Sequence, residues 1–169
     1  LMEKMIKAKQ EGKIKYIGFS FHDTLPVFKE IVDFYDWDVV QIQYNYMDTA
    51  VQATEEGLKY AASKNMAIVI MEPIKGGMLA NPSKEAKDVM KKAKVQRSAV
   101  DWALQYLWNL PEVSVVLSGM GNQKMLDENC RSAESSGINN LTADDMNTIN
   151  QLVNIYKKNI LVPCTACQY

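Results

Sequence analysis

A chain of 169 residues with a formal net charge of −1 is long enough for one domain with a real core, and it carries no charge surplus that would point to nucleic acid or an anionic membrane. No apolar run approaches the roughly 20 residues of a membrane helix, and no signal peptide is visible at the start. The three cysteines, Cys130, Cys164 and Cys167, are odd in number and poorly placed for a disulfide framework, so a reducing, cytoplasmic setting is the expectation.

Leu1 to Glu11 reads as a helix with Met2, Met5 and Ile6 on one face, ended by Gly12. The chain thus opens inside a helical pattern, which suggests an N-terminus that is not the natural one. Lys15 to Ser20 is a short strand, followed by the polar-aromatic loop Phe21, His22 and Asp23. Thr24 is a candidate N-cap with Pro26 in the first turn, and Leu25, Phe28, Val32 and Tyr35 recur at helical spacing. A strand at Val39 precedes a helix over 52–64 with Leu58, Ala61 and Ala62 inward. Ala67 to Met71 is a continuous apolar strand of the kind covered on both faces. It runs into Glu72-Pro73-Ile74-Lys75-Gly76-Gly77, whose glycines let backbone approach a ligand closely.

The charged segment from Asn81 to Lys94 predicts a short helix over that loop. Arg97 to Trp108 is a helix with Val100, Ala103, Leu104 and Leu107 on one stripe, broken by Pro111. Val113 to Leu117 is a fourth strand, and Asn122 caps a helix with Met125, Leu126, Asn129, Cys130 and Ala133 on one side. Cys130 is expected to be buried there. Thr142 with Asp145 resembles a capping box and opens a long helix with Met146, Ile149, Val153 and Tyr156 inward. One helix, four strand–helix units and an extra helix argue for a parallel α/β sheet. Periodicity alone leaves two closures open, a doubly wound sheet or half of an eight-stranded (β/α) barrel. No Gly-x-Gly-x-x-Gly turn follows any strand, which removes the main argument for the first.

The most informative stretch is Val39 to Asp48, VVQIQYNYMD. Gln41 and Gln43 are two apart and share one face of an otherwise apolar strand, where an amide pair is costly unless hydrogen-bonded. Downstream the chain turns polar and aromatic with Tyr44, Asn45, Tyr46 and Asp48. This is a core strand whose carboxyl end opens into a site, the end at which parallel α/β folds bind ligands.

Gly12 to Ser20, GKIKYIGFS, resembles the approach to and the fifth barrel strand of the aldo-keto reductases. Gln41-Ile42-Gln43-Tyr44-Asn45 is similar to their sixth strand, Met71 to Leu79 to the seventh strand and its Gly-rich loop, and Ser118-Gly119-Met120 through Glu128-Asn129 to the eighth strand and its cofactor-binding helix. The resemblance implies the C-terminal half of a (β/α)8 TIM barrel over residues 1–160: four parallel βα units and an extra C-terminal helix. It implies a nicotinamide cofactor, NADP or NAD, and hydride transfer with a small-molecule carbonyl substrate. The family's catalytic Asp, Tyr, Lys and His lie on the first four strands, to which no position here corresponds. His22 is not the family's catalytic histidine and receives no role.

By the same resemblance, Ser20 and Gln41 hold the nicotinamide carboxamide, which needs one donor and one acceptor. Where the family usually has Asn after the serine, this chain has Phe21. Met71 either packs on the nicotinamide ring or is an ordinary core methionine. Glu72, Ile74, Gly76 and Gly77 match the pyrophosphate loop, in which backbone N–H groups make the contact. Glu72 must then face away from the phosphates or pair with Lys75. Gly119, Asn122, Met125, Glu128 and Asn129 match the adenosine end, and the lack of an arginine near Met125 weakens NADP against NAD.

Pro163 to Tyr169, PCTACQY, resembles the opening of a ferredoxin-type cluster motif. A subgroup of the family carries such an iron–sulfur module after the barrel, which makes residues 161–169 a truncated start of one with Cys164 and Cys167 as metal ligands. The expected partner is the missing N-terminal half of the barrel or a second copy. The competing function is a non-catalytic nucleotide-binding or assembly half-barrel.

Overall fold

The computed structural model describes residues 1–159 of the chain, so Cys164, Cys167 and the boundary expected after residue 160 lie outside the described residues. Helix α1 (Met2–Gln10) ends at Gly12, whose φ of +71° is the left-handed conformation a side chain disfavours. Four strands follow, β1 (Gly18–Phe21), β2 (Val39–Gln43), β3 (Ala67–Met71) and β4 (Val115–Val116), interleaved with α2 (Leu25–Phe34), α3 (Thr54–Ser63), α4 (Lys84–Lys92), α5 (Ala99–Trp108) and α6 (Gln123–Glu134). The long α7 (Ala143–Asn159) closes the described chain.

The strands form one parallel sheet in the order β1-β2-β3-β4, so each joins its sequence neighbour. That arrangement is four consecutive βα units of a (β/α)8 barrel plus one further helix. Every second strand residue is driven into a core beneath the helices. Phe21, Val40, Ile42, Ile68 and Ile70 are buried there with Phe28, Val32, Leu58, Ala61 and Leu107. The alternate residues face the other way, and Ser20, Ala67 and Val115 are exposed. Among the described residues, the apolar run over 67–71 is therefore covered by helices on one face, where its composition suggested cover on both. A second core joins Leu79, Ala86, Met90 and Trp102 to Ile149, Leu152 and Tyr156, packing α4 against α7 at the carboxyl end of the chain.

Element bounds shift from the sequence expectation for identifiable reasons. The strand expected from Lys15 starts at Gly18, because the Ile17 N–H is taken by the Asp38 carboxylate (2.8 Å) instead of a neighbouring strand. The third helix starts at Thr54, because Gln52 (φ +55°) and Thr54 (φ +63°) carry a tight turn. Thr24 precedes α2 without a side-chain cap bond. α5 buries Trp102 and Gln105 as well as the expected Ala103, Leu104 and Leu107, because it has neighbours on several sides. Trp102 enters the second core, Leu107 the first, and Gln105 Nε2 donates to the Ser132 carbonyl of α6 (2.7 Å).

α6 buries none of its residues, and Cys130 is exposed, contrary to expectation. Its apolar stripe, including Met125 and Leu126, has no described element to pack on beyond the α5 side. The capping box at α7 forms as expected: Asp145 accepts from the Thr142 N–H (3.0 Å) and hydroxyl (2.7 Å), and its own N–H donates back to that hydroxyl. Arg97 completes it through Nη1 at 2.6 Å from Asp145 and stacks over Trp102. Among the described residues, no helix is long and apolar enough to cross a membrane.

Two outcomes follow from this packing. A Cβ on Gly18 would lie 2.2 Å from the Val39 carbonyl oxygen, so Gly18→Ala should destabilise the protein by about 1–3 kcal/mol or more, read as a lower urea midpoint. Burial pushes the Asp145 carboxyl up, but hydrogen bonds from Thr142 and Arg97 outweigh it and hold the group below the ordinary carboxylate range. A depressed carboxyl contributes stability above its unfolded value of about 3.9 and loses it as pH falls through the folded value. Asp145→Asn should therefore flatten the acid limb of a stability-against-pH curve measured by urea unfolding.

Candidate functional site

The register of the sheet assembles the site. Ser20 of β1 lies opposite Gln41 of β2, Gln41 opposite Val69 of β3, and Val69 opposite Val115 of β4. The next row up sets Gln43 opposite Met71. All are on the face that the helices leave open. Ser20 and Gln41 thus stand side by side on adjacent strands.

The two glutamines differ in what holds them. Gln43 Oε1 accepts from Gln52 Nε2 (2.9 Å), and Gln43 Nε2 donates to Asp48 Oδ2 (3.3 Å). Gln41 Nε2 donates to the Met71 sulfur at 3.5 Å, a weak acceptor that a ligand oxygen would readily replace. Gln43 is structural and Gln41 is available. Met71 is half-buried on the open face beside Gln41, not in the helix-covered core.

Asp48 is the hub beneath these residues. Its side chain is 9 % exposed and its two oxygens accept from Lys75 Nζ at 2.6 and 2.5 Å. Asn45 Nδ2 also donates to Asp48 (3.2 Å) and to the Glu72 carbonyl (3.0 Å), while Asn45 Oδ1 accepts from the N–H groups of Met47 and Asp48. The loop after β2 and the loop after β3 are thereby tied into one body. Sequence reasoning named Asn45 and Asp48 as polar residues after the strand, Asn45 also within the sixth-strand motif, and gave neither a partner; for Lys75 it offered Glu72 as one of two alternatives. The available signal was the Asn-x-x-Asp spacing after a strand, in which an asparagine bonds the N–H groups of the residues that follow.

The loop over 72–77 is wound by left-handed residues: Glu72 (φ +57°), Lys75 (φ +50°), Gly76 (φ +60°) and Gly77 (φ +89°). Glu72 does not meet Lys75, whose ammonium is held by Asp48. Its Oε2 accepts from the Gly76 N–H of its own loop. Ile74 is half-buried against the second core and anchors the loop. A Cβ at Gly77 would meet no atom within 4 Å, so that edge of the loop is open to a ligand.

The remaining residues gather at the end of β4. Asn129 Nδ2 donates to the Ser118 hydroxyl (2.8 Å), fixing α6 to the strand end. Asn122 is the N-cap of α6, accepting from the Met125 N–H (3.0 Å). Its carboxamide oxygen is spent on the helix. Gly119, Met125 and Glu128 are exposed, and Glu128 lies 3.8 Å from Lys124 along the helix. The twelve expected cofactor residues therefore fall into three groups: Ser20, Gln41 and Met71 on the open sheet face, Glu72, Ile74, Gly76 and Gly77 in the loop after β3, and Gly119, Asn122, Met125, Glu128 and Asn129 around the start of α6. His22 is exposed. Among the described residues, no three His, Cys, Asp or Glu side chains are grouped to hold a metal.

The sequence signature described as the aldo/keto reductase family matches residues 1–154. No curated protein matches the chain by sequence. Among solved structures, an aldo-keto reductase of Bacillus halodurans in its holo form is similar, with a TM-score of 0.71 and 22 % identity over 89 % of this chain and 54 % of its own. An aldo-keto reductase of Klebsiella pneumoniae in complex with NADPH has a TM-score of 0.68 and 15 % identity over 90 % of this chain and 52 % of its own. At these identities the likeness is one of fold. The chain spans about half the length of these proteins.

The hub generates a stability test. Lys75→Ala leaves a nearly buried carboxylate without its cation and should cost about 2–4 kcal/mol. Asp48→Asn with Lys75→Ala should cost less than the sum of the two single changes. Urea unfolding of the four-member cycle measures that coupling, and strictly additive effects would mean that the pair contributes nothing.

Proposed function

The chain belongs to the aldo/keto reductase family, and on that premise we propose that it supplies the cofactor-binding half of a nicotinamide-dependent reductase barrel. The bound cofactor, NADP or NAD, would supply the hydride that passes between its nicotinamide and a small carbonyl or alcohol. The observation that carries this reading is the register pair Ser20 and Gln41 on the open sheet face, a hydroxyl beside an amide whose partner is only a thioether. The residues fit the group: a carboxamide presents one donor and one acceptor edge, and this pair can answer both.

Further features support the reading. Met71 borders Gln41 and offers a polarizable surface to a ring. The loop over 72–77 presents Gly76 and Gly77 at the same end of the sheet. Asn129 spends one of its two amide N–H groups on Ser118 and keeps its oxygen, an acceptor suited to an exocyclic amino group. Complexes of the Klebsiella pneumoniae relatives with NADPH and with NADP and acetate favour NADP as the first cofactor to try.

The proton-handling Asp, Tyr, Lys and His of the family belong to the other barrel half, so catalysis requires that half or another chain to complete the barrel. The uncovered sheet face, with Val115 and Leu117 exposed, is where it would seat. Cys164 and Cys167 suggest in addition the start of a Cys-ligated cluster, which two ligands cannot complete.

Gln41→Ala and Asn129→Ala should each weaken NADP⁺ binding by about two- to tenfold, the worth of a lost hydrogen bond, in isothermal titration. Unchanged affinity in both would remove the cofactor reading. The 169-residue chain alone should reduce no simple aldehyde with NADPH, and light scattering should find it paired or bound to its complement. An active, well-folded 19.1 kDa monomer would overturn the half-barrel reading.

A further inference from the structure

The loop after β3 contains an anion of its own. Lys75 N–H donates to the Glu72 carbonyl (3.1 Å), Gly77 N–H to the Ile74 carbonyl (3.1 Å) and Met78 N–H to the Lys75 carbonyl (3.0 Å). Gly76 N–H breaks this series and donates to the Glu72 side-chain carboxylate. The Gly76 N–H is on the exposed rim, and Glu72 is exposed with it. The loop's cation is turned the other way, since Lys75 Nζ is held by both oxygens of Asp48 below. The loop therefore turns a negative charge outward and keeps its positive charge for the protein interior.

Glu72 is not in this place by default. Its φ of +57° is a conformation that L side chains rarely adopt. It is secured by the Asn45 amide on the Glu72 carbonyl (3.0 Å) as well as by the Lys75 N–H. That backbone geometry brings the carboxylate round onto Gly76, four residues on. Backbone N–H groups in left-handed turns are natural anion sites, and here a carboxylate of the same chain already answers one.

We propose that Glu72 is a built-in competitor for the anion site of this loop, and that a pyrophosphate-bearing ligand must displace its carboxylate from the Gly76 N–H in order to bind. The proposal rests on the cofactor reading above and adds a determinant of affinity to it. Like charges disfavour one another, so Glu72 weakens every anionic ligand of the loop, and only a ligand with further contacts at Gln41 or Asn129 offsets that cost. The loop thereby rejects free phosphate and pyrophosphate while admitting a whole dinucleotide.

The test uses the intact protein with Glu72→Ala and Glu72→Gln. Inorganic pyrophosphate probes the loop alone and NADP⁺ the whole site, both by titration calorimetry, with the Gly76 amide followed by NMR. Glu72→Ala should bind pyrophosphate about five- to tenfold more tightly than wild type, the worth of one competing charge-assisted contact at an exposed site. Glu72→Gln keeps the side chain's length and should give part of that gain through loss of charge alone. In wild type the Gly76 amide proton should lie downfield, move upfield in Glu72→Ala, and return downfield when pyrophosphate is added. Equal pyrophosphate affinities in all three proteins, or a Gly76 amide indifferent to the substitution, would overturn the proposal. A pyrophosphate response without NADP⁺ binding in any protein would support it and sink the cofactor reading. NADP⁺ binding of equal strength in all three would do the reverse.

Discussion

A buried carboxylate has to be neutralised where it stands, and Asp48 meets that requirement with Lys75. Removing water from the pair costs both ions much of their hydration, which only close geometry and further hydrogen bonds repay. The side-chain amides of Asn45 and Gln43 supply those bonds. The consequence is positional. The loop after β2 and the loop after β3 cannot move independently, because each contributes one half of the pair. Gln43 is drawn into the same network and Gln41 is left out, which divides two chemically identical neighbours into a strut and a free contact.

The sheet sets the other constraint. Its register aligns Ser20, Gln41, Val69 and Val115 in one row, and its alternation sends the bulky Ile and Val of the opposite face beneath the helices. Parallel strands delivered by right-handed crossovers place every carboxyl end at one rim. Residues far apart in sequence, such as Ser20, Glu72 and Asn129, therefore share that rim without any special device. What distinguishes the rim chemically is local: a left-handed loop after β3 and a capped helix after β4.

Much of this was legible in the residues. The four strands and seven α-helices of the described residues follow from apolar spacing and from Gly and Pro punctuation, and the Thr142–Asp145 box was readable as written. The Gln41/Gln43 pair pointed to the site because an amide pair inside an apolar run demands a partner. Three features were not legible. Cys130 was placed in the core because a helix with an apolar stripe is assumed to have cover, and α6 lacks it on that side. The Asp48–Lys75 pair spans two loops, and a salt bridge 27 positions apart leaves no local mark. Glu72 was expected to face away from the phosphates or to pair with Lys75; Lys75 is taken by Asp48 and Glu72 bonds the Gly76 N–H from a positive φ, which at a non-glycine residue is invisible to propensity.

The bare face of the sheet also governs the heat the molecule exchanges. Unfolding raises the heat capacity in proportion to the apolar surface newly wetted, about 12–15 cal/mol/K per residue for an ordinary globular domain. Here Val69, Val115 and Leu117 already meet solvent in part, so less apolar surface remains to be wetted on melting than the chain length implies. A smaller heat-capacity change makes for a shallower stability curve, with a broader maximum and a slower decline toward the cold. A partner that covered that face would take up the missing increment, and its docking would carry a negative heat-capacity change.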